Sequence, residues 1–220
     1  MSITVVQTAT ATPFTDDVTA GNTVLLIGFT YAGAPNSFTI TDPKLGGVNP
    51  GNGTQVLFAQ ANNGTNAAGV AVWLLPSVTG GVASYSLDQT GGSFNGIQAY
   101  EISGLGASPS ADRLITNSGS IAALTTGTTQ PTQAAPEIAI AVASIYSGSG
   151  TNPSGWTTAH GSSETWMGYQ VANSTGATYS WAQTTVTEPW AAGIVTLAIS
   201  LASSGGGSGV VAALAAAGVF

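Results

Sequence analysis

The chain has 220 residues, and nine acidic side chains outweigh Lys44 and Arg113 to give a formal charge of −7. Charged residues make up only 5% of it, so nucleic acid is excluded as a partner, since displacing counterions from phosphates takes several cations. The absence of cysteine excludes disulfides, thiolate chemistry and cysteine-based zinc sites.

With 43% hydrophobic residues and 30 glycines, the surface has to be built from Thr, Ser, Asn, Gln and Gly. Such a surface is hydrated but weakly charged, so little repulsion opposes contact with identical neighbours. The length suits a single sandwich core, one domain over residues 1–202.

Met1-Ser2-Ile3-Thr4 opens into a β-like segment without the basic and apolar regions of an export signal, so no signal peptide is expected. Val24-Leu25-Leu26-Ile27-Gly28-Phe29 is a continuous apolar run, which predicts a strand covered on both faces. Residues 37–41 alternate and turn Phe38 and Ile40 inward. Further strands are predicted over 55–60, 70–75, 82–87 and 97–102, with Asn-Gly pairs at 52–53, 63–64 and 95–96 as tight turns.

In the second half, strands are predicted over 137–146, 166–171, 178–182 and 194–201, separated by Gly, Ser, Asn and Pro clusters. No segment of this body keeps a helical period. The expected fold is all-β, an antiparallel, jelly-roll-like β-sandwich. An internal echo sets Gly96-Ile97-Gln98-Ala99-Tyr100-Glu101-Ile102-Ser103 against Gly193-Ile194-Val195-Thr196-Leu197-Ala198-Ile199-Ser200. Tyr85-Ser86-Leu87 precedes the first as Tyr179-Ser180-Trp181 precedes the second, which predicts two related four-strand halves.

Three stretches carry a resemblance. They are Phe38-Thr39-Ile40-Thr41-Asp42, then Val72-Trp73-Leu74-Leu75-Pro76-Ser77-Val78-Thr79-Gly80-Gly81, then Tyr100-Glu101-Ile102-Ser103-Gly104-Leu105 with Ala111-Asp112. Together they resemble a β-sandwich module common in bacteriophage virion proteins and some bacterial surface proteins, over most of residues 1–201. The resemblance implies a tail, fibre or capsid-surface role and brings no catalytic residues with it. After the Asp, members carry a polar Gly-Asn turn where this chain has Pro43-Lys44-Leu45-Gly46-Gly47.

His160 is the single imidazole and falls in an expected loop beside Ser162 and Ser163. Sequence neighbours seldom form a triad and no Gly-x-Ser-x-Gly elbow occurs, so no catalytic role is assigned to it. Asp42, Asp88, Glu101 and Asp112 are carboxylates of the type that hydrolyses glycosides. Asp42 and Asp88 read more simply as strand-ending residues that bond turn amides, and Glu101 as a side chain facing water or a neighbouring subunit. Asp16-Asp17 is the only adjacent acidic pair, and no calcium-loop pattern follows it. The triplets at 52–54, 63–65 and 173–175 match the glycosylation pattern, as expected by chance in a chain rich in Asn and Thr. No cofactor or metal is expected.

Trp156, Trp166, Trp181 and Trp190 concentrate in the second half, where exposed rings would stack on sugar faces and buried ones would fill the core. Residues 203–209 form a Gly/Ser-rich spacer before an apolar tail at 210–220 that includes Val210, Val211, Leu214, Val219 and Phe220. Apolar surface of this kind is costly to leave in water, and the tail reads as a docking peptide too short to span a bilayer.

The expected function is therefore that of a non-enzymatic virion component, assembled in the host cytoplasm as a homo-oligomer among other virion proteins. The alternative is a lectin-like module that recognises a cell-surface glycan.

Overall fold

The computed structural model describes residues 2–33, 37–120, 122–147, 154–161, 164–186 and 188–199. The described residues form strands and no helix. The first half contributes β1 (Thr4–Ala9), β2 (Thr23–Ala32), β3 (Thr39–Leu45), β4 (Thr54–Asn62), β5 (Ala67–Leu75), β6 (Tyr85–Thr90) and β7 (Phe94–Ser103). The second contributes β8 (Ser110–Gly119), β9 (Ala122–Thr128), β10 (Glu137–Ile145), β11 (Thr157–Gly161), β12 (Thr165–Ala172), β13 (Ser180–Val186) and β14 (Trp190–Ala198).

Two five-stranded antiparallel sheets face each other, one ordered β1-β7-β2-β5-β4 and the other β11-β12-β10-β14-β8, and two ribbons, β3–β6 and β9–β13, accompany them. Read from its other edge, the second sheet runs β8-β14-β10-β12-β11, so each of its strands has a counterpart in the first. The echo between 96–103 and 193–200 falls on equivalent strands, with Gly96 opposite Phe29 of β2 and Gly193 opposite Val142 of β10. Each half is thus a five-stranded sheet with its own ribbon, more than the four strands expected. One element breaks the correspondence, because β3 follows β2 whereas β9 precedes β10.

Period-two alternation explains the layering. Leu25, Ile27 and Phe29 of β2 meet Ile138, Ile140 and Val142 of β10 in a central core. Their alternates face outward, where Val24 and Leu26 pack under Ile40, Tyr85 and Leu87 of the first ribbon. Ala139, Ala141 and Ala143 pack in the same way under Leu124 and Trp181 of the second. Four layers result, and the central strands of both sheets are covered on both faces. Continuous apolar runs are therefore required at β2, β5, β10 and β14, and each fully buried Leu, Ile or Phe contributes roughly 1.5–3 kcal/mol. Gly28 lets the first ribbon close down, since a Cβ there would collide with Ile40. The Trp73 indole N–H donates to Ile40 O at 2.9 Å and ties that ribbon to β5.

The expected sandwich is what forms, with four differences in detail. β8 and β9 arise where no strand was expected. β11 is a strand that includes His160, where a loop was expected. Asn95-Gly96 is no turn, since both residues pair with β2 inside β7.

Candidate functional site

The tryptophans expected as stacking platforms divide sharply. Trp166, Trp181 and Trp190 are exposed by only 1%, 2% and 2%. They fill the outer core between the second sheet and its ribbon, so these three are corrected to core residues and offer no face to a sugar. Trp166 points outward from β12, opposite Ala143, and the ribbon that covers this face is what buries it. Trp156 is half-buried, and its indole N–H is already committed to Ser180 O at 3.1 Å. A different set of rings reaches the surface. Phe94 stacks on Tyr31 at 4.7 Å, and Tyr146 stands edge-on to Tyr31 at 6.0 Å. The three come from β7, β2 and the residue after β10, a grouping that sequence spacing does not show.

Asp42 and Asp88 are drawn together by Lys44, whose Nζ lies 2.8 Å from Asp42 Oδ2 and 3.1 Å from Asp88 Oδ1. Their oxygens are therefore no more than about 6 Å apart, near the spacing of a retaining glycosidase pair. Yet the ammonium occupies the space between them. Its hydrogen bond, with that of Asn49 Nδ2 at 2.5 Å, holds the Asp42 carboxyl below its ordinary range. A carboxyl held low in this way and bridged by a cation supplies no acid. Asp42 has φ 48°, and with Lys44 it shapes the irregular pairing between Thr41 and Lys44.

Glu101 does not face water or a neighbour, as the alternation suggested. It is fully buried on the outer face of its sheet, roofed by the connection from β1 to β2. Burial alone would raise its pKa, but Gln7 Nε2 donates at 2.6 Å, Thr19 N at 2.8 Å and Asn22 Nδ2 at 2.6 Å. These donors outweigh burial and hold the carboxyl below its usual range. Asp112 accepts from the amides of Gln133 at 2.7 Å and Ala134 at 3.3 Å, and pairs with Arg113 at 3.3 Å.

Sequence reasoning passed over Glu137. It heads the largely apolar strand β10 and is fully buried. The Tyr179 hydroxyl donates to its Oε1 at 3.0 Å, while Oε2 lacks a partner. Burial pushes its pKa up, against the Thr132 and Tyr179 hydroxyls that lie near the carboxyl, and Asp112 adds to the rise. An acidic residue opening an apolar run was the signal available. Glu137 pairs with Ala198 as Glu101 pairs with Val24, so each half buries one carboxylate at the same rung of its ladder, on opposite strands.

His160 lies on β11, Ser162 and Ser163 fall outside the described residues, and so do residues 203–220 with Val210, Val211, Leu214, Val219 and Phe220. Asp16 exchanges bonds with Gln7 through its backbone. Asn63 caps the turn before β5 by accepting from Thr65 N and Asn66 N at 3.0 and 2.7 Å. A cleft of about 450 Å³ opens beside the Lys44 cluster between Leu45, Val48, Pro50, Ser77, Val78 and Val82. A second hollow of about 650 Å³ runs between β4 and β8. No family model, curated protein or solved structure matches this chain.

Proposed function

We propose that the chain is a non-enzymatic structural component of a phage virion, a tail, fibre or capsid-surface protein that assembles as a homo-oligomer through residues 203–220. One observation carries the reading. Most of the few charged groups are spent on local structure, with Lys44 bridging Asp42 and Asp88, Arg113 held by Asp112, and Glu101 and Glu137 buried. What remains outside is a sparsely charged surface of Thr, Ser, Asn and Gln, with Asp16 and Asp17 exposed on it, around the uncharged edge strands β1 and β4, which suits side-by-side packing of copies. The virion assignment itself rests on the sequence resemblance.

Native mass tests it, by light scattering after size exclusion, on the full chain beside one ending at Leu201. Every described strand ends by Ala198, so the shorter chain keeps the sandwich. A defined oligomer for the full chain and a monomer for the short one support the reading. Two identical monomers overturn it. The surface cluster of Phe94, Tyr31 and Tyr146 favours glycan recognition as the second reading, and neutral-glycan binding that is lost in Phe94→Ala would bring it forward.

A further inference from the structure

The two sheets are offset across the sandwich. β4, an edge of the first, lies over β14 and β8 of the second. A Cβ on Gly193 of β14 would stand 2.6 Å from Leu57 Cδ1 of β4. β8 projects beyond this contact. Leu114, Thr116 and Ser118 pair with Val195, Gly193 and Ala191 of β14 and share their inward face. Val195 and Ala191 are buried in the central core, yet Leu114 is 41% exposed and Thr116 and Ser118 are exposed too. The inner face of β8 is thus an uncovered floor beside β4, and the hollow of about 650 Å³ lies here, lined by Phe58, Ala59, Gln60, Thr116, Asn117 and Ser118.

β4 itself is an open edge. Among the described strands it pairs with β5 alone, and its nine residues, TQVLFAQAN, include no charge and no proline. Natural edges are usually blunted by such residues, because unpaired N–H and C=O groups invite another strand.

We infer that this edge receives the segment 210–220 of a neighbouring copy as a sixth strand, laid on the floor of β8. The inference rests on the reading of residues 203–220 as the attachment segment. The segment lies outside the described residues, and its sequence, VVAALAAAGVF, has the Ala, Gly, Val and Leu composition of β5, AAGVAVWLL, and β14, WAAGIVTLA. Those strands are buried on both faces, as a strand between β4 and the floor would be in part. Neither the segment nor the lining of the hollow carries a charge.

Strand direction selects a neighbour over the chain's own tail. Asn66, just past β4, donates to Glu188, just before β14, at 2.7 Å. β4 therefore ends where β14 begins, and Ile199 leaves β14 near the start of β4. To pair antiparallel, the more stable arrangement, the chain's own segment would have to enter at the far end of β4. Its spacer would have to run back over the length of β14, about 30 Å. Ten residues fully extended reach only about 33–36 Å, and a Gly/Ser coil of that length averages about 17 Å. A segment from another copy meets no such limit.

Hydrogen exchange on residues 54–62 tests this in the full chain, the chain ending at Leu201, and full-length Ser118→Lys, whose exposed position leaves the fold intact by circular dichroism. Open-edge amides of β4 should exchange at least about tenfold slower in the full-length oligomer than in the shorter chain. Ser118→Lys should abolish that protection together with the oligomer, and a peptide of residues 210–220 should restore it to the shorter chain. A tail-dependent oligomer with unprotected β4 overturns the inference and leaves the assembly reading standing. Protection in a monomer at every concentration assigns the edge to the chain's own tail and also overturns it. A monomer without protection overturns both.

Discussion

Replacing Glu137 by Gln should stabilise this protein at neutral pH. The side chain is fully buried, Oε1 accepts one hydrogen bond from Tyr179, and Oε2 has no partner. Glutamine keeps the acceptor for Tyr179 and places a neutral amide beside Thr132 and Thr196, both of which lie within reach of the carboxyl. A buried polar atom left unsatisfied costs about 1–3 kcal/mol. A gain of about 1–2 kcal/mol at pH 7 follows, and for a chain of this size each kcal/mol raises Tm by about 2–4 °C.

The pH dependence fixes the cause. Burial raises the folded-state pKa of Glu137 above its unfolded value. Wild type therefore has its full stability from this group below the unfolded pKa, about 4.3, and loses it as pH rises through the folded value. The Tm difference between Glu137→Gln and wild type should be near zero at pH 3.5 and grow toward pH 7, as read by calorimetry at several pH values. A variant no more stable than wild type at pH 7, or a gain that does not change with pH, would refute the reasoning.

Glu101 is the counter-case and should respond with the opposite sign. Its donors lower its pKa, so its contribution is present above the unfolded pKa and is lost as pH falls through the folded one. Glu101→Gln should cost about 2–3 kcal/mol at pH 7, because bonds to a charged acceptor are lost and, with its oxygen kept toward Thr19 and Asn22, the new amide faces Gln7 Nε2 as donor against donor. Chemical denaturation at pH 7 and pH 3.5 checks that the penalty shrinks in acid. At the sheet contact, Gly193→Ala should cost about 1–3 kcal/mol by crowding Leu57. In a double-mutant cycle with Leu57→Ala the combined loss should be smaller than the sum of the two, whereas strict additivity would place the strain elsewhere.

Much of the strand framework was legible residue by residue. β2 and β10 announce themselves because strands covered on both faces must be largely apolar, and Phe38 with Ile40 shows the one-sided alternation of a ribbon. β8 does not, because Asp112, Arg113 and Asn117 leave it without an apolar period. It is a strand because β14 offers an unpaired edge. Asn95-Gly96 looks like a turn in isolation and is held extended by its pairing with Phe29 and Thr30.

The candidate site was less legible for a related reason. Alternation told that Tyr179 and Trp181 share a face, and that Glu101 opposes Tyr100, but period two assigns side chains to faces and is silent on what covers each face. The ribbon β9–β13 covers an outer face and turned the expected stacking rings into core, while the connection from β1 to β2 covers another and turned an expected surface carboxylate into a buried anchor. The sequence by itself determined the all-β class, the principal strands and the echo between the halves, since these follow from local period and composition. Only the tertiary structure decided the four-layer stacking, the offset that bares the floor of β8, and the opposite environments of Glu101 and Glu137, because each depends on contacts between residues far apart in the chain.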